Sequence, residues 1–260
     1  MKQLTSSLLL TLAELTFLLT LVHAETLPGS SNVRTAPARK GKPRDMLWKM
    51  GRSALLREGW MVERKTNQFD LNPQLLQMVA GIAEARTVLI SEWHGLVPRQ
   101  GVTHYITESF VVEQAFENGV YKFVLLPDSA VMTARLANQF GFPATDSADL
   151  TFTLSKKTAT KAKKNPDPDD LIAAGLQPET ATLFTETLGR VNYQGTVRVM
   201  QTALGQVKQV RVLGFVASDN CAWLVGQMMG EQVRYVSADI PTFQRQIHRL
   251  MRDVHLSQAT

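Results

Sequence analysis

Between positions 8 and 22 nearly every residue is apolar, and the interruptions are Thr11, Glu14, Thr16 and Thr20. Leu12, Leu15, Leu18, Leu19 and Val22 recur at helical spacing. Thr11-Leu12-Ala13-Glu14 has the form of a capping box, in which the hydroxyl and the carboxylate satisfy each other's backbone amides. The pattern predicts a short strand over residues 6–10 and a helix over 12–22. The same residues also resemble a secretory signal, with Lys2 ahead of the apolar run and Val22-His23-Ala24 as a cleavage site. A carboxylate in the middle of the run is costly for a segment that must enter hydrocarbon, so the reading as a retained strand and helix is preferred. The run is too short and interrupted for a membrane span, and no membrane insertion is expected.

Further on, Met46, Leu47, Met50, Ala54 and Leu55 form an apolar stripe that Gly59 closes, and a short strand is expected over 60–64. Asn72-Pro73 caps and opens a helix that runs to about residue 83. Strands follow over 86–91, 102–107, 110–117 and 120–126. Asn118-Gly119 between the last two predicts a type I′ hairpin turn. Asp128 and Gly141 bracket a helix containing Val131, Leu136, Ala137 and Phe140. After a strand over 149–155 the order restarts. A short helix spans 167–175, Pro178 opens another, strands lie at 195–202, 208–217, 221–227 and 232–238, and Pro241 opens a final helix. Phe243, Ile247, Leu250 and Val254 share one face of it.

Two similar stretches can be laid side by side. Residues 54–60 (Ala-Leu-Leu-Arg-Glu-Gly-Trp) correspond to 170–176 (Asp-Leu-Ile-Ala-Ala-Gly-Leu), and hairpin 111–126 to 221–236. The expected class is α+β, a duplication of helices plus antiparallel meander with pseudo-two-fold character. The expected organisation is one unit over 1–260, with a first half over 1–155, a Lys-rich linker over 156–166 and a second half over 167–260.

The chain has 260 residues and a net charge of +5. Residues 33–65 contribute +7 and residues 156–164 add five lysines without an acid, which leaves −7 for everything else. Residues 25–43 read as a basic loop. The lysine run lacks interleaved aromatics, so it reads as a solvated linker, and no nucleic acid is expected as partner. The single cysteine, Cys221, permits no internal disulfide and reads as a small apolar strand residue.

No phosphate loop, dinucleotide fingerprint, nucleophile elbow or zinc-protease helix is present, and no catalytic, metal or cofactor residue is expected. Glu92 and His94 share a strand face that His104 could approach, the one acid/base arrangement a hydrolase could use, but no third group is placed by spacing. Arg198, Arg211 and Arg234 fall on strands of the second meander and form the candidate partner-binding set together with Trp223; Tyr235 is a second candidate anchor.

Residues 10–19 (Leu-Thr-Leu-Ala-Glu-Leu-Thr-Phe-Leu-Leu), followed by Leu27-Pro28, resemble the opening of the EspG family of type VII (ESX) secretion-associated proteins. The stretch 55–79, with Glu58-Gly59 and Leu71-Asn72-Pro73-Gln74-Leu75-Leu76, is similar to that family's next helix–strand–helix. Residues 219–225 (Asp-Asn-Cys-Ala-Trp-Leu-Val) resemble its late strand, and 232–254 its closing strand and helix. The family's usual Gly-Arg-Tyr is missing, so no binding residue is carried over. The resemblance implies a pseudo-two-fold α+β fold and a cytoplasmic, non-enzymatic chaperone or adaptor for a helical secreted partner. The alternative is a secreted or envelope protein from which residues 1–24 are removed.

Overall fold

The structure is a computed structural model that describes residues 7–22, 24, 27, 43–65, 68–144, 149–203, 206–227 and 230–256. Apart from Leu27 and Pro43, the basic loop expected over 25–43 lies outside them, as does the turn at Gly205. The chain begins β1 (Leu8–Leu10), α1 (Leu12–Leu21), α2 (Pro43–Arg57), β2 (Met61–Lys65), β3 (Gln68–Leu71) and α3 (Pro73–Glu84). It continues β4 (Thr87–Gly95), β5 (Gln100–Ile106), β6 (Val111–Glu117), β7 (Val120–Leu126) and α4 (Ser129–Gln139). Then come β8 (Thr151–Ser155), α5 (Lys156–Lys164), α6 (Pro168–Ala173) and α7 (Pro178–Gly189). The chain closes with β9 (Tyr193–Ala203), β10 (Gln206–Ala217), β11 (Ala222–Gln227), β12 (Gln232–Ser237) and α8 (Ile240–Leu256).

The class is α+β. β2 and β3 form a ribbon of their own, and the other ten strands follow the order β1-β7-β6-β5-β4-β9-β10-β11-β12-β8. If β1 and β4–β7 are matched with β8 and β9–β12, that order reads the same from either edge. Local chemistry repeats too. Gly59 adopts φ +76° at the end of α2, and Trp60 N–H and Gly59 N–H bond to the carbonyls of Leu55 and Leu56. Gly175 at φ +97° ends α6 in the same manner, with Leu176 and Gly175 bonding to Leu171 and Ile172. These are paired Schellman closures, which need a residue free to enter the left-handed region.

By compactness the chain divides into two units that do not follow the sequence halves. The first comprises the chain up to Ile90 with Gly101–Ser129 and Met200–Val210; the second comprises Ser91–Gln100, Ala130–Val199 and the chain from Arg211 on.

In the first unit α1 is apolar almost all round and is buried accordingly: Leu15, Phe17, Leu18 and Leu19 are 0–1% exposed. Glu14 is buried within that run because its carboxylate closes the capping box. Thr11 N–H and Thr11 O–H both donate to Glu14 Oε2 at 2.7 Å, and Glu14 N–H donates to Thr11 Oγ1 at 3.3 Å. α2 crosses α1 closely at Gly51, where an added Cβ would lie 2.2 Å from the Ala13 carbonyl oxygen. Phe17 meets Trp48 of α2 and Phe69 of β3 with ring centroids 5.1 and 6.3 Å apart. Asn72 caps α3 by accepting from Gln74 N–H and Leu75 N–H. The Asn118-Gly119 turn has φ of 52° and 83°, and Glu117 faces Val120 across it, which is the type I′ geometry expected. Tyr105, fully buried on β5, donates to Gln114 Oε1 at 2.8 Å; burial, with Tyr121 nearby, pushes its phenol far above the ordinary value.

In the second unit the sheet is covered on both faces. Phe215 stacks on Phe140 at 4.3 Å, and Trp93, Phe142 and Phe243 gather around them, where α4 ends and α8 begins. Val216, next along β10, points the other way and stands opposite Trp223. There Trp223, Phe152, Phe184 and Tyr235 pack with Ala162, Leu171 and Ala181 from α5, α6 and α7.

Three elements differ from expectation. β3 was not foreseen: Gln68-Phe-Asp-Leu71 has too little alternation to signal a strand and exists by pairing with β2. β4 runs to Gly95 and not to residue 91, because Gly195 of β9 lets the backbones meet; a Cβ there would lie 2.2 Å from Glu92 O. Residues 156–164, read as linker, form a helix capped by Ser155 Oγ, which accepts from Thr158 N–H at 3.1 Å. Ala162 supplies its buried anchor.

Candidate partner-binding surface

The residues considered for acid/base chemistry are engaged elsewhere. Glu92 is gripped by two guanidinium groups, Arg99 on Oε1 at 3.0 Å and Arg198 on Oε2 at 2.7 Å. His94 is exposed beyond them on β4. His104 is fully buried on β5 and its Nε2 lies 3.1 Å from Glu113 Oε2, directly across the β5–β6 pairing. Cys221 is buried in the turn before β11, and burial pushes its thiol up, against the weaker opposing hydrogen bonds from Thr187 and Ala222. Among the described residues no three His, Cys, Asp or Glu side chains are grouped to hold a metal. No described helix is long and apolar enough to cross a membrane.

The candidate partner-binding residues do not form one surface. Trp223 is 0% exposed, and its indole N–H donates to Thr187 Oγ1 at 3.2 Å. It is a core residue: Phe152 and Phe184 cover both its flanks, so it offers a partner nothing. Tyr235 is likewise buried, and burial pushes its phenol up. The three arginines are exposed but divide between faces. Trp93 points toward Phe140, so its neighbour Glu92 points the opposite way, and Arg198, bonded to Glu92, lies on that opposite side. Arg211 and Leu213 alternate with Val212 along β10 and share the face of Phe215. Arg234 precedes Tyr235, which packs on Phe152, so Arg234 lies on the face of Phe215 as well. Arg211 and Arg234 therefore share a face, and Arg198, which shares Glu92 with Arg99, lies on the other.

The shared face has a shape. Arg234 stands opposite Gly226 in the β11–β12 register. A Cβ at Gly226 would meet nothing within 4 Å, so bare backbone with open space above it lies beside Arg234. The pairing of β10 with β11 covers Gly214↔Val225 to Ala217↔Ala222, and before Gly214 β10 carries half-buried Leu213 and exposed Val212 and Arg211. Among the described residues Arg211 and Arg234 have no acidic partner.

Comparison with known proteins adds the fold. No sequence-family model matches the chain, and no curated protein matches it in sequence. Among solved structures it is similar to EspG5, the chaperone of the Mycobacterium tuberculosis type VII secretion system, as seen in complex with the PE25–PPE41 dimer. The TM-score is 0.63 over 92% of this chain and 93% of that one, at 13% identity. The chain has an EspG-like fold. At that identity the likeness is one of backbone path, and the EspG-like path is held here by this chain's own caps, glycine crossings and aromatic clusters. The Arg198–Glu92–Arg99 group was not visible in the sequence, because 106 positions separate Arg198 from its carboxylate. Only the alternation of β4 and β9 puts them together.

Proposed function

We propose that this chain is a non-enzymatic chaperone or adaptor that binds a helical secreted protein in the cytoplasm, in an ESX-like secretion setting. The observation that carries the reading is the EspG-like fold along nearly the whole chain, shared with a chaperone whose structure holds a PE–PPE dimer. The second unit supports it with a face suited to a helix. Arg234 stands beside the open backbone of Gly226, Arg211 lies on the same face, and Leu213 gives an apolar foothold. An apolar ridge of a partner helix would seat beside Gly226, with its carboxylates toward the arginines. Retention of residues 1–24 belongs to the same reading. β1 and α1 fill the core of the first unit, and removal after Ala24 would take Leu15, Phe17, Leu18 and Leu19 out of it. N-terminal sequencing of the protein from its host tests this; a chain starting at Glu25 would replace the cytoplasmic reading with the secreted one.

The test of function is co-expression with small helical proteins encoded beside its gene, followed by size-exclusion chromatography. A stable complex with one of them is expected. R211E/R234E should lose that complex while its thermal melt stays within a few degrees of the parent. Normal complex formation by the double variant would move the partner to another surface, and failure of every neighbouring helical protein to bind would count against the chaperone reading itself.

A further inference from the structure

The lysine run that reads as a linker is a rigid array. α5 holds Lys156, Lys157, Lys161, Lys163 and Lys164 exposed, while Ala162 is buried and Ala159 half-buried against the second unit's core. Lys157, Lys161 and Lys164 follow i, i+4, i+7 spacing and form a ridge facing away from the two alanines. At 1.5 Å rise per residue the ridge is about 10 Å long. Among the described residues only Lys161 has an acidic partner, Asp170 of α6 at 2.6 Å.

This helix forms against its local preferences. It contains no acid, two lysines sit in its first turn where the helix dipole disfavours cations, and its ridge sets like charges at i, i+4. A segment needed only for solubility would relax these repulsions by staying extended. Here the Ser155 cap and the Ala162 anchor hold the lysines in place against their repulsion. Local rules broken in this manner, with compensation supplied by the fold, mark functional surfaces.

We infer that the α5 ridge is a docking site for an acidic segment of a protein partner, separate from the Arg211/Arg234 face and independent of the chaperone reading. Three observations select that occupant. The apolar side of α5 is already spent on the core, so it has nothing to insert into a lipid surface. No aromatic side chain lies among the lysines to stack a base. Asp170 of α6 lies against Lys161, with Asp167 and Asp169 close to it in sequence at the start of that helix, and a uniformly anionic bilayer or duplex meets these carboxylates as repulsion, whereas a protein segment can place its own cations there. Carboxylates at i, i+4 and i+7 of a partner helix match the ridge in length.

The test uses the full chain, its K157E/K161E/K164E variant, and a fluorescein-labelled 20-residue helical peptide with glutamates at i, i+4, i+7 beside a version carrying glutamine there. The parent should bind the glutamate peptide at low salt, lose it in 0.5 M NaCl, and ignore the glutamine peptide. The triple variant should bind it roughly tenfold or more weakly, with an unchanged circular-dichroism spectrum and melt. Parallel arms offer phosphatidylcholine vesicles containing 30% phosphatidylglycerol and a 20-base-pair DNA duplex. Binding to either in preference to the peptide overturns the assignment, as does equal peptide binding by parent and variant. R211E/R234E should bind the peptide normally, which keeps this outcome distinct from the chaperone test.

Discussion

α1 and α5 occupy matching places in the order of elements and are opposites in character. Each follows an edge strand, β1 on β7 and β8 on β12, and each is capped by a hydroxyl side chain, Thr11 or Ser155. α1 is enclosed, and its one acid is consumed by its own cap. α5 touches the core through alanines and turns five lysines outward. Corresponding places in the order of elements are core in α1 and charged surface in α5. The difference shows that the order of elements constrains where a helix starts, and that its side chains then decide how deeply it sits.

The comparison can be broken at its buried end first. Phe17→Ala removes a fully buried ring that contacts Trp48 and Phe69, and should lower the unfolding free energy by about 3–5 kcal/mol in urea titration. A change under 1 kcal/mol would mean α1 is not core. Next is the helix crossing. Gly51→Ala drives a methyl group into the Ala13 carbonyl and should cost about 1–3 kcal/mol by the same titration; a stabilised variant would show that α1 and α2 do not cross there. The caps come third. Glu14→Ala strips Thr11 N–H and O–H of their acceptor and should cost about 1–2 kcal/mol, against about 0.5–1 kcal/mol for Ser155→Ala at the exposed α5. Equal losses would erase the contrast in burial. Smallest is the ridge itself. K157E/K161E/K164E should shift stability by no more than about 0.5 kcal/mol, since the acid gained in the first turn is offset by loss of the Lys161–Asp170 pair while the ridge keeps like charges at i, i+4. Strong destabilisation would make the lysines structural.

Local signals located most of the scaffold. The Thr11–Glu14 box, Asn72-Pro73, the Asn118-Gly119 turn and the closing glycines each act through a few adjacent residues, so they can be read in order along the chain. β3 and α5 could not be read in that way. Four residues with one aromatic do not announce a strand, and five lysines among threonines argue against a helix unless the burial of Ala162 is known. The candidate surface was legible in part. Arg211 and Arg234 share an exposed face, whereas Arg198 needed the Trp93–Phe140 contact to place it opposite, and Trp223 needed its neighbours Phe152 and Phe184 to show that it is enclosed.

By itself, then, the sequence determined the α+β class, the repeated order of helices and strands, and the places where helices begin and hairpins turn. Those follow from backbone stereochemistry and side-chain-to-backbone bonds within four residues. The tertiary structure alone decided which residues meet: His104 with Glu113, Arg198 with Glu92, and the lysine ridge held by small alanine anchors. These depend on strand register and on which face each alternating side chain takes, and a shift of one residue reverses every one of those assignments. The Gly226 opening beside Arg234 was decided there as well, because a missing side chain becomes a feature only once neighbours stand on either side of it.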